Sequence, residues 1–276
     1  PTTCRRQRQM CIRDSSMKIV RTDKELQTPV IDARLREAGH ELVLLPDGIA
    51  EDKLIEQIGD VDLILMCYTP ITSRIIEAAK KLKGIVKYGV GIDAIDIPAA
   101  VERGIPVVNI PEYAEETVAE GAFAMLIALA KKMPAIRNTM ENNGWAWPEP
   151  EWRGSDIAGK TLGIVGFGKI GKSMARMANK GFRARVISFS PHTDSTEMEK
   201  FGVIKYSSLT QLLSDSDFVS IHSVLNAETE KLIGEKELRA MKSSAIIINS
   251  ARGAIIDEHA LVKAITEGWI AGAGLD

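Results

Sequence analysis

Three glycines carry the first chemical signal in the chain. In TLGIVGFGKIG, Gly166, Gly168 and Gly171 stand at GxGxxG spacing, behind an apolar strand-like run and ahead of a helical one. Such spacing suits a pyrophosphate: the first glycine permits a tight turn, the second lets phosphate approach the backbone, and the third lets helix and strand pack closely. Phe167, Lys169 and Ile170 complete the loop. The helix that follows, expected over residues 172–180, offers unpaired N–H groups and the positive end of its dipole. On spacing alone, an incidental glycine-rich turn is the competing reading. A carboxylate about 20 residues further on would hold the ribose hydroxyls, but the next strand, ARVISFS, ends in Ser190 and is followed by Pro191 and His192. A carboxylate there would contribute a charged hydrogen bond of roughly 1.5–3 kcal/mol and would repel a 2′-phosphate. Its absence removes both effects, so NADP is left open beside the NAD expected for such a loop, and Asp194 nearby complicates the choice.

Other reactive side chains are sparse. The first sixteen residues, PTTCRRQRQMCIRDSS, are basic and lack apolar periodicity, the pattern of a disordered arm or nucleic-acid tail. Yet RRQRQMCIRDS reads as the literal translation of a transposase adapter used in sequencing libraries, so residues 1–16 are expected to be foreign and Met17 to open the native chain. Without them, the 35 basic and 37 acidic residues lose four arginines and one aspartate, leaving 31 against 36, a net charge of −5. No basic patch then suggests nucleic acid. Cys67 is left alone, which excludes an intrachain disulfide and a cysteine-pair metal site, and no metal is expected. No run approaches the roughly 18–20 apolar residues of a membrane helix, and no basic-then-apolar leader is seen. A cytoplasmic, reducing setting is the expectation.

These residues need elements to position them. From Met17, short β-branched runs alternate with longer amphipathic ones: KIVRT then 24–38, ELVLLP then 50–58, DLILMC then 73–82, GIVKYG then 96–103, and IPVVNI. Strand and helix repeated in this way give parallel sheets with covering helices. Residues 115–132 form a long helix that is apolar over most of its surface and is expected to be buried between domains. After a stretch rich in Gly, Pro and Trp over 142–159, TLGIVG, ARVISFS, GVIKY, DFVSIH, AIIINS and WIAGAGLD restart the alternation. The expected fold is α/β, with two Rossmann-like lobes whose parallel sheets carry helices on both faces. A flavodoxin-like substrate domain is placed over 17–114 and an NAD(P)-binding domain over 115–276. Ligands of such sheets sit at the carboxyl ends of strands.

Several separated blocks in a fixed order go further than the glycines: KYGVGIDAIDIPAAVERGIPVVN, ETVAEGAFAMLIAL, DFVSIH, ETEKLIGEKELRAMKSSAIIINSARGAIIDEHAL and GAGLD. Over nearly all of 17–276 the chain resembles the D-isomer-specific 2-hydroxyacid dehydrogenases, a family that includes phosphoglycerate dehydrogenases and glyoxylate and hydroxypyruvate reductases. The resemblance implies hydride transfer between NAD(P) and C2 of a small D-2-hydroxy acid or 2-oxo acid. It makes Arg252, in NSARG, the catalytic arginine, whose guanidinium fork holds the substrate carboxylate and polarises the 2-oxo group; a surface ion pair is the competing reading. Tyr88, Gly89, Val90 and Gly91 become the loop whose N–H groups receive that carboxylate. Ser190, His222, Ser250, Ala251 and Asp276 join the glycine loop around the cofactor. Val224 and Asn226 stand where relatives usually have Pro and often Thr. Phosphoglycerate-specific relatives tend to carry arginine, which can meet the phosphate, where this chain has Met66 and Tyr68; Lys87 could substitute for it as a point charge, but an unphosphorylated acid such as glyoxylate or hydroxypyruvate is expected.

By the same resemblance, the general acid/base histidine and its glutamate lie downstream of the GAGLD strand. His40, His222 and His259 are not in matching positions. Residues 1–276 by themselves are therefore expected to turn over negligibly, since losing a positioned acid/base costs about 10²–10⁴ in rate. A homodimer through the cofactor lobe is implied for the whole protein. Two other readings stand beside this one. A dinucleotide-sensing, corepressor-like binding protein of the same fold is disfavoured by Arg252, and an adenosylhomocysteine hydrolase-like enzyme by the NSARG and VAEGAFAML blocks.

Overall fold

The computed structural model describes residues 16–276, and the adapter-like residues 1–15 lie outside them. The chain divides into two compact units between Tyr113 and Ala114.

In the first unit, β1 (Lys18–Arg21), α1 (Pro29–Glu37), β2 (Glu41–Leu44), α2 (Glu51–Ile55), β3 (Leu63–Met66), α3 (Ser73–Ala78), β4 (Gly84–Lys87), α4 (Ile97–Glu102) and β5 (Val107–Val108) follow one another. They build a parallel sheet in the order β2-β1-β3-β4-β5. This is the flavodoxin-type order, and its topological switch point lies between β1 and β3. Val20, Ile64, Met66 and Ile85 pack with Leu54, Ile58, Ile75 and Ile76 in one core, each fully buried aliphatic contributing about 1.5–3 kcal/mol. The helix expected from residue 24 begins only at Pro29, because Pro suits the first helical turn. The residues before it turn back to the sheet, with Lys24 N–H donating to Leu45 O at 3.1 Å and Leu26 N–H to Asp23 O at 3.2 Å.

The second unit opens with α5 (Glu115–Ala130) and α6 (Met133–Asn143). It continues through β6 (Thr161–Val165), α7 (Lys169–Arg176), β7 (Arg185–Phe189), α8 (Ser195–Glu199), β8 (Val203–Lys205), α9 (Leu209–Asp215), β9 (Phe218–Ile221), α10 (Glu235–Ala240), β10 (Ile246–Asn249), α11 (Glu258–Thr266) and β11 (Gly272–Leu275). Its parallel sheet runs β11-β10-β9-β6-β7-β8, the Rossmann order, with the switch point between β6 and β9. Alternate residues feed two cores. Leu162, Ile164, Val186, Phe218 and Ile248 meet Phe123 and Leu126 of α5 and Met174 of α7, while Val165, Ile187, Val219 and Ile247 meet Leu212, Leu238 and Leu261 of α9, α10 and α11. Burial on both faces explains why these strands read as continuous apolar runs. The expected α/β fold of two Rossmann-like lobes is therefore what the chain adopts. The helix anticipated at 172–180 starts earlier, at Lys169, and passes into a π-turn over Met177–Gly181. Among the described residues, no helix is long and apolar enough to cross a membrane.

Candidate active-site residues

The glycine motif sits at the switch point of the second unit. Gly166 N–H donates to Phe189 O at 2.9 Å, tying the turn to β7. Its φ is +94°, and a Cβ there would lie 2.7 Å from Ser223 N, so the loop after β9 is packed directly against it. A Cβ on Gly171 would overlap the Gly166 carbonyl oxygen, whereas one on Gly168 would meet nothing. The outer side of the loop at Gly168 is thus open to a ligand's approach. Gly168 caps α7 without a side chain, and the first-turn N–H groups have no intrahelical acceptors. Phe167 is buried and stands edge-on to Phe201 at 5.8 Å, which leaves its backbone for any contact with a ligand. Ile170 packs on the same core. Past β7, Ser190 Oγ pairs with Thr193 Oγ1 at 3.0 Å, and Lys205 Nζ donates to Thr193 O at 2.6 Å. Asp194 follows as the residue that starts α8, without a side-chain cap.

The ends of β9 and β10 adjoin this turn. His222 donates its N–H to Val165 O at 2.8 Å, and its Nε2 lies 2.9 Å from Ser220 Oγ. Desolvation of the ring pulls its pKa from 6.5 down to about 4, although the residue as a whole keeps some surface. A histidine held neutral when folded takes up its proton on unfolding, so its contribution is complete above about 6.5 and is lost as pH falls toward about 4. Urea unfolding is expected to show a loss of as much as about 3 kcal/mol across that window, and His222→Gln should flatten it.

On β10, Asn249 is almost fully buried and clamps the turn beyond it. Its Oδ1 accepts from Ala251 N–H at 3.0 Å, and its Nδ2 donates to Arg252 O at 2.9 Å. The sequence reading missed this residue; its signal is a lone amide closing an aliphatic strand. Arg252 itself is exposed, in extended backbone, with Nη1 donating to Ala251 O at 2.8 Å. Asp276 N–H donates to Asn249 O at 3.1 Å. Ser250 Oγ is buried without a hydrogen-bond partner among the described residues, a condition that costs about 1–3 kcal/mol unless a ligand relieves it. An open Gly168 at the amino end of a helix and, among the described residues, an orphaned hydroxyl both fit a dinucleotide.

In the first unit the switch point is filled by the chain itself. Asp23, 1% exposed, accepts through Oδ2 from Cys67 N–H (2.9 Å), Tyr68 N–H (3.1 Å), Thr69 N–H (3.3 Å) and the Thr22 hydroxyl (2.7 Å), and through Oδ1 from the Thr69 hydroxyl (2.9 Å). Desolvation, the largest single influence, pushes its carboxyl up, but the hydrogen bonds from Cys67, Thr22, Thr69 and Tyr68 together outweigh it and hold the group below its ordinary value. A buried Arg21–Asp32 pair at 2.9 Å lies beside it.

The neighbouring 88–91 loop departs from expectation in one respect. Tyr88 N–H donates to Met66 O at 3.1 Å and its hydroxyl to Thr22 O at 2.8 Å, so Tyr88 belongs to the sheet and offers no free donor. Burial pushes that hydroxyl up to about 12. The next three N–H groups, of Gly89, Val90 and Gly91, have no acceptor among the described residues. Ile110 N–H to Gly89 O (3.1 Å) and Asn109 Nδ2 to Val90 O (2.7 Å) hold the loop from behind. The other histidines are elsewhere: His40 accepts Met17 N–H at 3.3 Å at the start of β1, and His259 is exposed on α11.

Two parallel α/β units, one of Rossmann order with a glycine turn at its switch point, define a dinucleotide-binding protein. The family model of the D-isomer specific 2-hydroxyacid dehydrogenase NAD binding domain matches residues 123–276. A glyoxylate reductase of Thermococcus litoralis is 41% identical over 258 residues, covering 91% of this chain and 77% of that protein. Among solved structures, a D-lactate dehydrogenase from Aquifex aeolicus complexed with NAD and lactic acid superposes with a TM-score of 0.82 at 27% identity, over 94% of this chain and 76% of that one. An acyclic imino acid reductase in complex with NADPH and D-arginine gives a TM-score of 0.83 at 32% identity, over 94% and 82%. The chain belongs to the D-isomer-specific 2-hydroxyacid dehydrogenase family. It is an NAD(P)-dependent oxidoreductase acting on a CH–OH group.

Proposed function

We propose that this protein reduces a small unphosphorylated 2-oxo acid, glyoxylate or hydroxypyruvate, in the cytoplasm. The observation that carries the reading is the run of three N–H groups without acceptors among the described residues at Gly89, Val90 and Gly91, which suits a carboxylate, in a chain whose relatives include glyoxylate reductases. Residues 17–114 hold the substrate and residues 115–276 the dinucleotide, NAD or NADP. The backbone from Gly166 to Gly171 receives the pyrophosphate; Ser190, His222, Ser250, Ala251 and Asp276 line the rest, with Ser250 Oγ gaining its missing partner. When bound, the cofactor supplies hydride chemistry. Arg252, steadied by Asn249, orients the substrate and stabilises charge on its 2-oxo oxygen.

The proton comes from a histidine that the family places downstream of β11, so residues 1–276 alone turn over slowly. Grafting the segment that follows the matching strand in the Thermococcus litoralis relative is expected to raise the rate about 10²–10⁴-fold. In that grafted chain, Arg252→Met should lower kcat/KM for glyoxylate about 10²–10³-fold and leave the Kd for NADH unchanged. An undiminished rate would remove Arg252 from the chemistry.

A homodimer completes the reading. Helix α6 buries none of its residues, and Met133, Trp145 and Trp147 are exposed, the two indoles edge to face at 4.9 Å. Apolar surface of this kind marks an interaction site. Sedimentation is expected to give a dimer for the grafted chain and a monomer for its Trp145→Ser/Trp147→Ser variant.

A further inference from the structure

Lys87 closes β4 at 6% exposure, yet no carboxylate oxygen among the described residues lies within 4.0 Å of its ammonium. Its Nζ donates to Cys67 O, stands 3.8 Å from Cys67 Sγ and lies 5.4 Å from the centroid of the Tyr68 ring. The neighbouring carboxylate of Asp23 is committed to N–H and hydroxyl donors. An ammonium withdrawn from water without a contacting counter-ion is costly, by several kcal/mol. A tie between β4 and the loop after β3 needs a hydrogen-bond donor there but no charge.

Where the charge sits gives its use. A Cβ on Gly89 would lie 2.9 Å from Lys87 Cε and 3.3 Å from Nζ, so the end of the lysine runs directly against the backbone of the loop whose Gly89, Val90 and Gly91 N–H groups lack acceptors. We propose that Lys87 is a substrate-binding residue whose buried ammonium, beside the 89–91 loop, supplies the counter-charge for the carboxylate of the 2-oxo acid. The loop provides direction through its N–H groups, and the lysine provides net charge that the N–H groups lack. Glycine at 89 is what lets the two lie in contact. The inference rests on the proposed role of that loop as the carboxylate site.

Calorimetric titration of residues 1–276, saturated with NADH, separates the two claims when oxamate, a carboxylate, is compared with oxamide, its neutral counterpart. Wild type is expected to prefer oxamate, and Lys87→Met to weaken oxamate about 10- to 100-fold while leaving oxamide and NADH unchanged. Lys87→Arg, which keeps the charge, should restore part of the preference. A wild type that binds NADH but shows no preference for oxamate overturns the reading of the loop and this inference with it. If wild type prefers oxamate and folded Lys87→Met does so equally, the loop stands and Lys87 is structural. Should Lys87→Met not fold, the paired test is Gly89→Ala, whose methyl displaces the ammonium: loss of the oxamate preference supports the role and its retention overturns it.

Discussion

Gly166→Ala is expected to abolish dinucleotide binding and to destabilise the second unit by about 3–5 kcal/mol. Two costs combine. A side chain at a φ of +94° is strained, by about 1–2 kcal/mol, and the new methyl would stand 2.7 Å from Ser223 N and 2.8 Å from the His222 carbonyl group. Those contacts are backbone, held by His222 N–H on Val165 O, so neither side yields without loosening β6 from β9. Gly168→Ala is the internal control, since its methyl would meet no atom of the described residues within 4 Å. It should cost less than about 1 kcal/mol of stability while still excluding pyrophosphate from the loop. Thermal unfolding read beside quenching of tryptophan fluorescence by NADH distinguishes the pair. Equal melting temperatures for the two variants would show that the turn is not the strained junction described.

Asp23→Ala is expected to cost the first unit about 3–5 kcal/mol, because it strands the N–H groups of Cys67, Tyr68 and Thr69 in a buried place. Asp23→Asn keeps one carbonyl oxygen for those donors and turns its amide toward the Thr69 hydroxyl, so about 1–2 kcal/mol is expected. The charge also sets a pH dependence. The folded carboxyl titrates below its ordinary value of 3.8, so its stabilisation is present above that value and is lost as the pH falls through the lower folded one. Acid unfolding of the wild type should therefore steepen below about pH 4, and that of Asp23→Asn should not. Equal stability of wild type and Asp23→Ala in urea would contradict the hydrogen-bond network.

What could be read in advance was what is local or periodic. The GxGxxG spacing and the apolar strands predict the second sheet well, because both signals lie within a dozen residues and both faces of the sheet are buried. The start of α7 was misplaced by three residues because Gly168 caps it with backbone alone, which leaves no side chain to announce the boundary. Asp23 went unnoticed for a different reason: its partners other than Thr22 are 44 to 46 residues away, and in the sequence RTD merely ends a strand. Tyr88 shows the limit of carrying a role across by position. Its N–H was expected to face the substrate, yet sheet register commits it to Met66. Lys87 was visible as a charge, but its burial and its contact with Gly89 were not.

The contrast between the two switch points has a thermodynamic consequence. In the first unit, a carboxylate of the chain occupies the crevice between β1 and β3 and is gripped by backbone N–H groups, much as a bound anion would be. That sheet carries a permanent ligand, covalently attached and always at saturating local concentration. The crevice of the second unit presents glycine backbone and an unpartnered Ser250 hydroxyl, so its stability responds to dinucleotide by mass action, gaining about 2.7 kcal/mol at a hundred times Kd. The chain thus joins a lobe indifferent to the cell's nucleotide pool to one that reports on it.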